Sequence, residues 1–234
     1  MNLKPMFDFR SVLFASVLSA FLMGTTGLAQ TPTAGGCSNG ATPESSMDSM
    51  DHGSMDHMEM SEIEFDQLYI DMMLPHHSSI IALAEVALPL LEDPRLQEIA
   101  QNIIDTQTAE QAELEALRLE WYGSAEPAPM DDAMMAMMME VMPGMGTAEE
   151  QMQMMDAQAQ IQIFCAAENY DLQFIEQTIA HHHMAIESSK SAVDQAVHPE
   201  TVAIAERVIA DQQAEIDALE TIRAELIAEA TPAA

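Results

Sequence analysis

The sequence is poor in positive charge: 7 Lys and Arg stand against 39 Asp and Glu, a formal net charge of −32 over 234 residues. Nucleic-acid recognition rests on neutralising phosphates with Lys and Arg, so that class of partner is excluded. Cysteine is scarce as well. Its 2 thiols, Cys37 and Cys165, suffice for one disulfide but not for a metal site of their own. Long apolar runs are missing too, since the stretch from Val12 to Met23 falls short of the ~20 residues that a membrane-spanning helix needs. What the chain does have is a 48% hydrophobic fraction, enough for a core, and 22 methionines. Its acidic surface concentrates cations.

The first residues read as a leader. Lys4 and Arg10 precede the short apolar run, and Gly27 and Ala29 place small residues where a signal peptidase reads, so residues 1–29 are expected to be a signal peptide. The protein is therefore expected to be periplasmic or secreted in a bacterium. Ala34-Gly35-Gly36 before Cys37 is only a loose lipidation signal, because no bulky aliphatic stands three residues earlier. Residues 30–60 are Thr, Pro, Gly, Ser, Asp and Met without apolar periodicity, and read as a disordered tail.

Helical patterning fills 61–230. Ser61 and Glu64 form a candidate capping box, followed by Phe65, Leu68, Met72, His76, Ile80, Leu83 and Ala87 on one helical face as far as Pro89. Asp93 and Pro94 open a second helix, whose stripe of Leu96, Ile99, Ile103, Leu114, Leu117 and Trp121 stops at Gly123. The short loop makes 61–122 an antiparallel hairpin. A methionine-rich connection with one extra helix, opened by a Thr147/Glu150 capping box, occupies 123–168. A second hairpin follows over 169–230, its last helix starting at Pro199 and carrying Ile204, Val208, Leu219, Ile222 and Leu226. The hairpins repeat: His76-His77 on His182-His183 gives an offset of 106, whereas Pro94/Pro199, Gln107/Gln212 and Glu110/Glu215 give 105, as though one loop residue were deleted. The expected fold is all-α, a ferritin-like four-helix bundle made of two repeated hairpins.

Three features carry chemistry. Histidine pairs fall mid-helix in both repeats, His76 and His77 in the first, His182 and His183 in the second with His181 beside them. Met72 and Met73 sit one turn before His76 and His77, so thioethers and imidazoles share a face. A single such histidine would be ordinary core packing; matched pairs point to ligands. Second, Gln107 and Glu110 interrupt one apolar stripe, and Gln212 and Glu215 the other; a buried carboxylate there could accept from an imidazole and orient it, or ligate directly. A solvated face is the plain alternative. Third, the tail carries Met47, Met50, Met55, Met58 and Met60 interleaved with His52 and His57, where no core exists to need them. Soft thioethers select Cu(I) and need no deprotonation. In the second methionine tract Met134, Met138 and Met142 would line one face, which suits a hydrophobic cap equally well.

The strings FDQLYIDMMLPHHSSIIALAEVAL and FIEQTIAHHHMAIESSKSAV, followed by IIDTQTAEQAELEAL and VIADQQAEIDALETI, resemble the two halves of the bacterial ferritin-like bundles known as domain of unknown function 305. The resemblance spans roughly residues 62–229. It implies an exported four-helix bundle of a kind that includes copper-binding, copper-tolerance proteins, with Met72, Met73, His76, His77, His182 and His183 as ligands. At the 106 offset the second half has Thr178, Ile179 and His181 in place of Met72, Met73 and Pro75, with Met184 as a substitute sulfur.

The expected function is non-catalytic: an exported copper binder that sequesters or shuttles Cu(I), with Ag(I) or Cu(II) as alternative cargo. Its expected partners are metal ions and an envelope copper-handling protein. Two rivals stand beside it. A ferritin-like oxidase or peroxidase would need Glu-x-x-His on two helices, and the sequence has none. A methionine-rich interaction module would grip a protein partner with its flexible thioethers.

Overall fold

The computed structural model describes Cys37 and residues 63–230, and all secondary structure among them is helical. The leader and the tail residues Met47, Met50, His52, Met55, His57, Met58 and Met60 lie outside the described residues, as does Ser61. Seven helices follow in order: α1 Phe65–Ala87, α2 Pro94–Tyr122, α3 Asp132–Val141, α4 Ala148–Met155, α5 Ala157–Cys165, α6 Tyr170–Gln195 and α7 Pro199–Ala230. No described helix is long and apolar enough to cross a membrane.

Most helix boundaries follow the capping chemistry. The Asp93 side chain accepts from the Arg95 amide with Pro94 at the first turn, and α2 ends on Gly123, whose φ of 81° is left-handed backbone that glycine adopts freely. Thr147 and Glu150 make the expected reciprocal capping box. Three expectations are corrected. Glu64 is itself the N-cap of α1 and its side chain makes no capping bond, so the Ser61/Glu64 box does not open this helix. The one extra helix expected from Thr147 is interrupted, because Asp156 ends α4 and caps α5 by accepting from the Gln158 and Ala159 amides. The connection thus holds three helices instead of one.

α1 packs on α2 and α6 on α7, as two hairpins. α1 also lies against α4, α5 and α6, whereas α2 and α7 touch only lightly. This explains why α1 is buried almost all round: Tyr69, Ile70, Met73 and Leu74 are as inaccessible as the stripe of Leu68, Met72, Ile80 and Leu83. Met134, Met138 and Met142 are buried in the same apolar cluster as Met72, Met73 and Leu114, so this methionine tract serves as core. Cys37 and Cys165 are joined in a disulfide, leaving no thiol for lipidation at Cys37.

The two hairpins are interlocked by carboxylates. Asp66 on α1 accepts from the backbone amides of Val197 (2.8 Å) and His198 (3.0 Å), just before α7. Asp171 on α6 accepts from Glu92 (2.8 Å) and Asp93 (3.1 Å), at the start of α2. Burial works to raise the Asp66 carboxyl, but the amide hydrogen bonds outweigh it and hold the group below the usual carboxylate range.

Candidate metal centre

Successive helical residues are rotated by about 100°, so three consecutive histidines cannot face one way. On α6, His181 and His182 turn inward and are fully buried, while His183 is exposed. On α1, His76 and His77 are fully buried. Four imidazoles therefore meet between α1 and α6. His76 and His181 face one another with ring centroids 3.6 Å apart and planes inclined at 38°. His77 and His182 flank them on their own helices, at centroid distances of 6.3 and 6.4 Å.

Each flanking histidine is tied to the second helix of its own hairpin. His77 Nε2 lies 3.0 Å from Glu110 Oε2, and His182 Nε2 lies 2.7 Å from Glu215 Oε2. Asn102 on α2 donates to the other oxygen of Glu215 at 2.8 Å. The expected carboxylate–imidazole contacts thus exist within each hairpin. They also correct the repeat register: His77 pairs with Glu110 as His182 pairs with Glu215, and Asp66 plays the part of Asp171. The offset is 105 throughout, with no deleted residue. Met72, Met73 and Pro75 accordingly correspond to Gln177, Thr178 and Ala180, and the pair equivalent to His76-His77 is His181-His182.

The centre is electrostatically unusual. Burial first, and then the neighbouring His77 and His182, push the His76 imidazole well below its ordinary pKa. Burial, His76, His182 and His77 do the same to His181. Both rings are held neutral, the state in which a ring nitrogen can ligate a metal. Along the same side, Asp211 is raised by burial and by the neighbouring carboxylates of Glu110 and Glu215. Both ring nitrogens of His76, and Nδ1 of His77, His181 and His182, are buried without a hydrogen-bond partner, as are the amides of Gln107 and Gln212. Unpartnered buried polar atoms at such density call for an explanation.

Met72 and Met73 are buried one turn before His76 and His77. His183 and Met184 line a groove with Met145 and Met154, next to the four rings along α6. Among the described residues no three His, Cys, Asp or Glu side chains form a metal-holding group by themselves. Sequence reasoning missed Ser79, whose hydroxyl lies 2.9 Å from His181 Nε2 and also bonds the Met154 carbonyl. It missed the buried Asp71–Arg118 pair too. Ser79 has no equivalent in the other hairpin, where Met184 stands opposite it, whereas Asp71–Arg118 does: Glu176 and Arg223, 105 residues further on, form an exposed ion pair at 2.6 Å.

An all-helical chain built from two equivalent hairpins, with a histidine–carboxylate pair at the same place in each, is a duplicated-hairpin domain. The chain belongs to the family described as domain of unknown function (DUF305), whose model matches residues 66–223. Among solved structures it resembles CopM in the Cu(II)-bound form, at 29% identity and a TM-score of 0.52, over 69% of this chain and 97% of that one. CopM in the Cu(I)-bound form is similar at 27% identity and a TM-score of 0.54, over 69% of this chain and 96% of that one. A putative secreted DUF305 protein from Streptomyces coelicolor shares the fold at 19% identity and a TM-score of 0.55, covering 69% and 93% of the two chains. No curated protein sequence matches the chain.

Proposed function

We propose that the protein is a non-catalytic copper binder, exported from a bacterial cytoplasm, that holds Cu(I) between α1 and α6 and sequesters or shuttles it in support of copper tolerance. The observation that carries this reading is the set of buried imidazoles whose nitrogens lack partners. An ion taking up those lone pairs would remove the desolvation cost that the metal-free centre bears. His76 and His181 would supply nitrogen, and Met72 and Met73 thioether sulfur. Glu110 and Glu215 would orient His77 and His182 as outer partners orient metal-bound histidines. The donor set suits a soft ion, since thioethers favour Cu(I), and the copper-bound structures of the similar CopM support the same class of cargo. The surplus of carboxylates would draw cations toward the chain.

The test is a Cu(I) titration under reducing conditions against a chromogenic competing chelator, using the mature chain, a variant lacking 30–60, and H76Q/H181Q with and without M72L/M73L. Loss of the tightest site in the histidine variant is expected. Unchanged stoichiometry in every variant would end the proposal. Fractionation of the native host for the mature chain checks export, with an exclusively cytoplasmic full-length chain as the contrary result.

A further inference from the structure

The sequence offered His183 and Met184 as ligands beside the other histidines, yet in the structure both line a groove of about 230 Å³ that none of the four buried histidines lines. Three methionines from three segments meet there: Met184 on α6, Met154 at the end of α4, and Met145 in the loop between α3 and α4. Met145 sits between Gly144 and Gly146, with φ of 95° and 85°. Those left-handed positions let the loop fold back so that Met145 is 95% buried while still lining the groove.

The nearby carboxylates are already engaged. Glu150 accepts from the Thr147 amide and hydroxyl at 2.7 and 2.9 Å, and Glu187 accepts from Lys190 at 2.7 Å. The imidazole of His183, by contrast, makes no hydrogen bond among the described residues. The donors of the groove are thus one nitrogen and three thioether sulfurs, that of Met154 accepting from the Gln160 side-chain amide at 3.5 Å, a set that neglects hard divalent ions and suits a soft monovalent one. Ala180, one turn before His183, adds only a methyl group to the lining and leaves room above it.

We propose that this groove is a second soft-metal site, independent of the four buried histidines, taking one Cu(I) or Ag(I) through His183, Met145, Met154 and Met184. It rests on the reading that the chain binds soft monovalent metal, and extends it from one centre to two along α6. The outer groove is reachable from solvent through the exposed His183, whereas the inner centre is enclosed.

Silver nitrate in chloride-free buffer, added to full mature protein carrying ¹³C-methyl methionine, tests it. The methyl resonances of Met145, Met154 and Met184 should move together over one equivalent of silver, and should do so equally in H76Q/H181Q. The volume-conserving M145L/M154L/M184L variant should bind one equivalent fewer than the parent by native mass spectrometry. H183Q changes only an exposed side chain, so it keeps the test open should the triple variant fail to fold; it should weaken the coupled methyl shifts. Silver binding elsewhere with these three methyls unmoved would overturn the second site and leave the copper reading standing. No silver bound anywhere would overturn both.

Discussion

At the scale of single residues, the chemistry is set by what burial does to charge. His76 and His181 are held neutral, with folded pKa values below the unfolded value near 6.5. Below that value the unfolded chain binds protons that the folded chain refuses. Their contribution to stability is therefore complete above about pH 6.5 and is lost as the pH falls toward the folded pKa, at up to about 1.4 kcal/mol per pH unit per ring. Thermal unfolding of the metal-free protein between pH 7.5 and 5, compared with H76Q/H181Q, should show a shallower acid slope in the variant. The buried Asp71–Arg118 pair predicts the opposite asymmetry between single and double changes. Removing the Arg118 guanidinium alone, in R118M, leaves an uncompensated buried carboxylate and should cost about 3 to 5 kcal/mol in denaturant unfolding. D71L/R118M should recover most of that loss, and failure to do so would mean that packing, not charge, dominates there.

At the scale of elements, the helices were legible wherever a cap or breaker coincided with apolar periodicity. Asp93-Pro94, Gly123, Thr147 with Glu150, and Pro199 all fall where the chemistry of orphaned amides and carbonyls puts them. What the sequence concealed was the pairing of repeats. Three consecutive histidines fit either register, and the partner carboxylates, 33 residues beyond His77 and His182 alike, decide between them. Asp66 and Asp171, also 105 apart, carried the same information but look like ordinary first-turn acids. The groove around His183 could not be read either, because it depends on where the Gly144-Met145-Gly146 turn folds back. At this scale D66A should strip two amides of their charged acceptor, costing about 2 kcal/mol. Hydrogen exchange should accelerate at Val197 and His198 rather than within α1; D171A should do likewise at Glu92 and Asp93. Acceleration confined to the mutated helix would contradict the interlock.

At the scale of the whole molecule, the Cys37–Cys165 bridge closes a span of 128 residues that includes the entire first hairpin. Loop-closure entropy bounds its worth at about 5 kcal/mol, so C37S/C165S should lower the unfolding midpoint measurably while leaving the helical content intact. Equal midpoints for the oxidised parent and the serine variant would show that the bridge constrains little of the denatured ensemble. The reciprocal clasps have a wider consequence. Since Asp66 completes the turn entering α7 and Asp171 the turn entering α2, each half of the chain finishes termini that belong to the other. A hairpin cut free of its neighbour would thus enter its second helix through a turn with two amides that nothing in that hairpin satisfies.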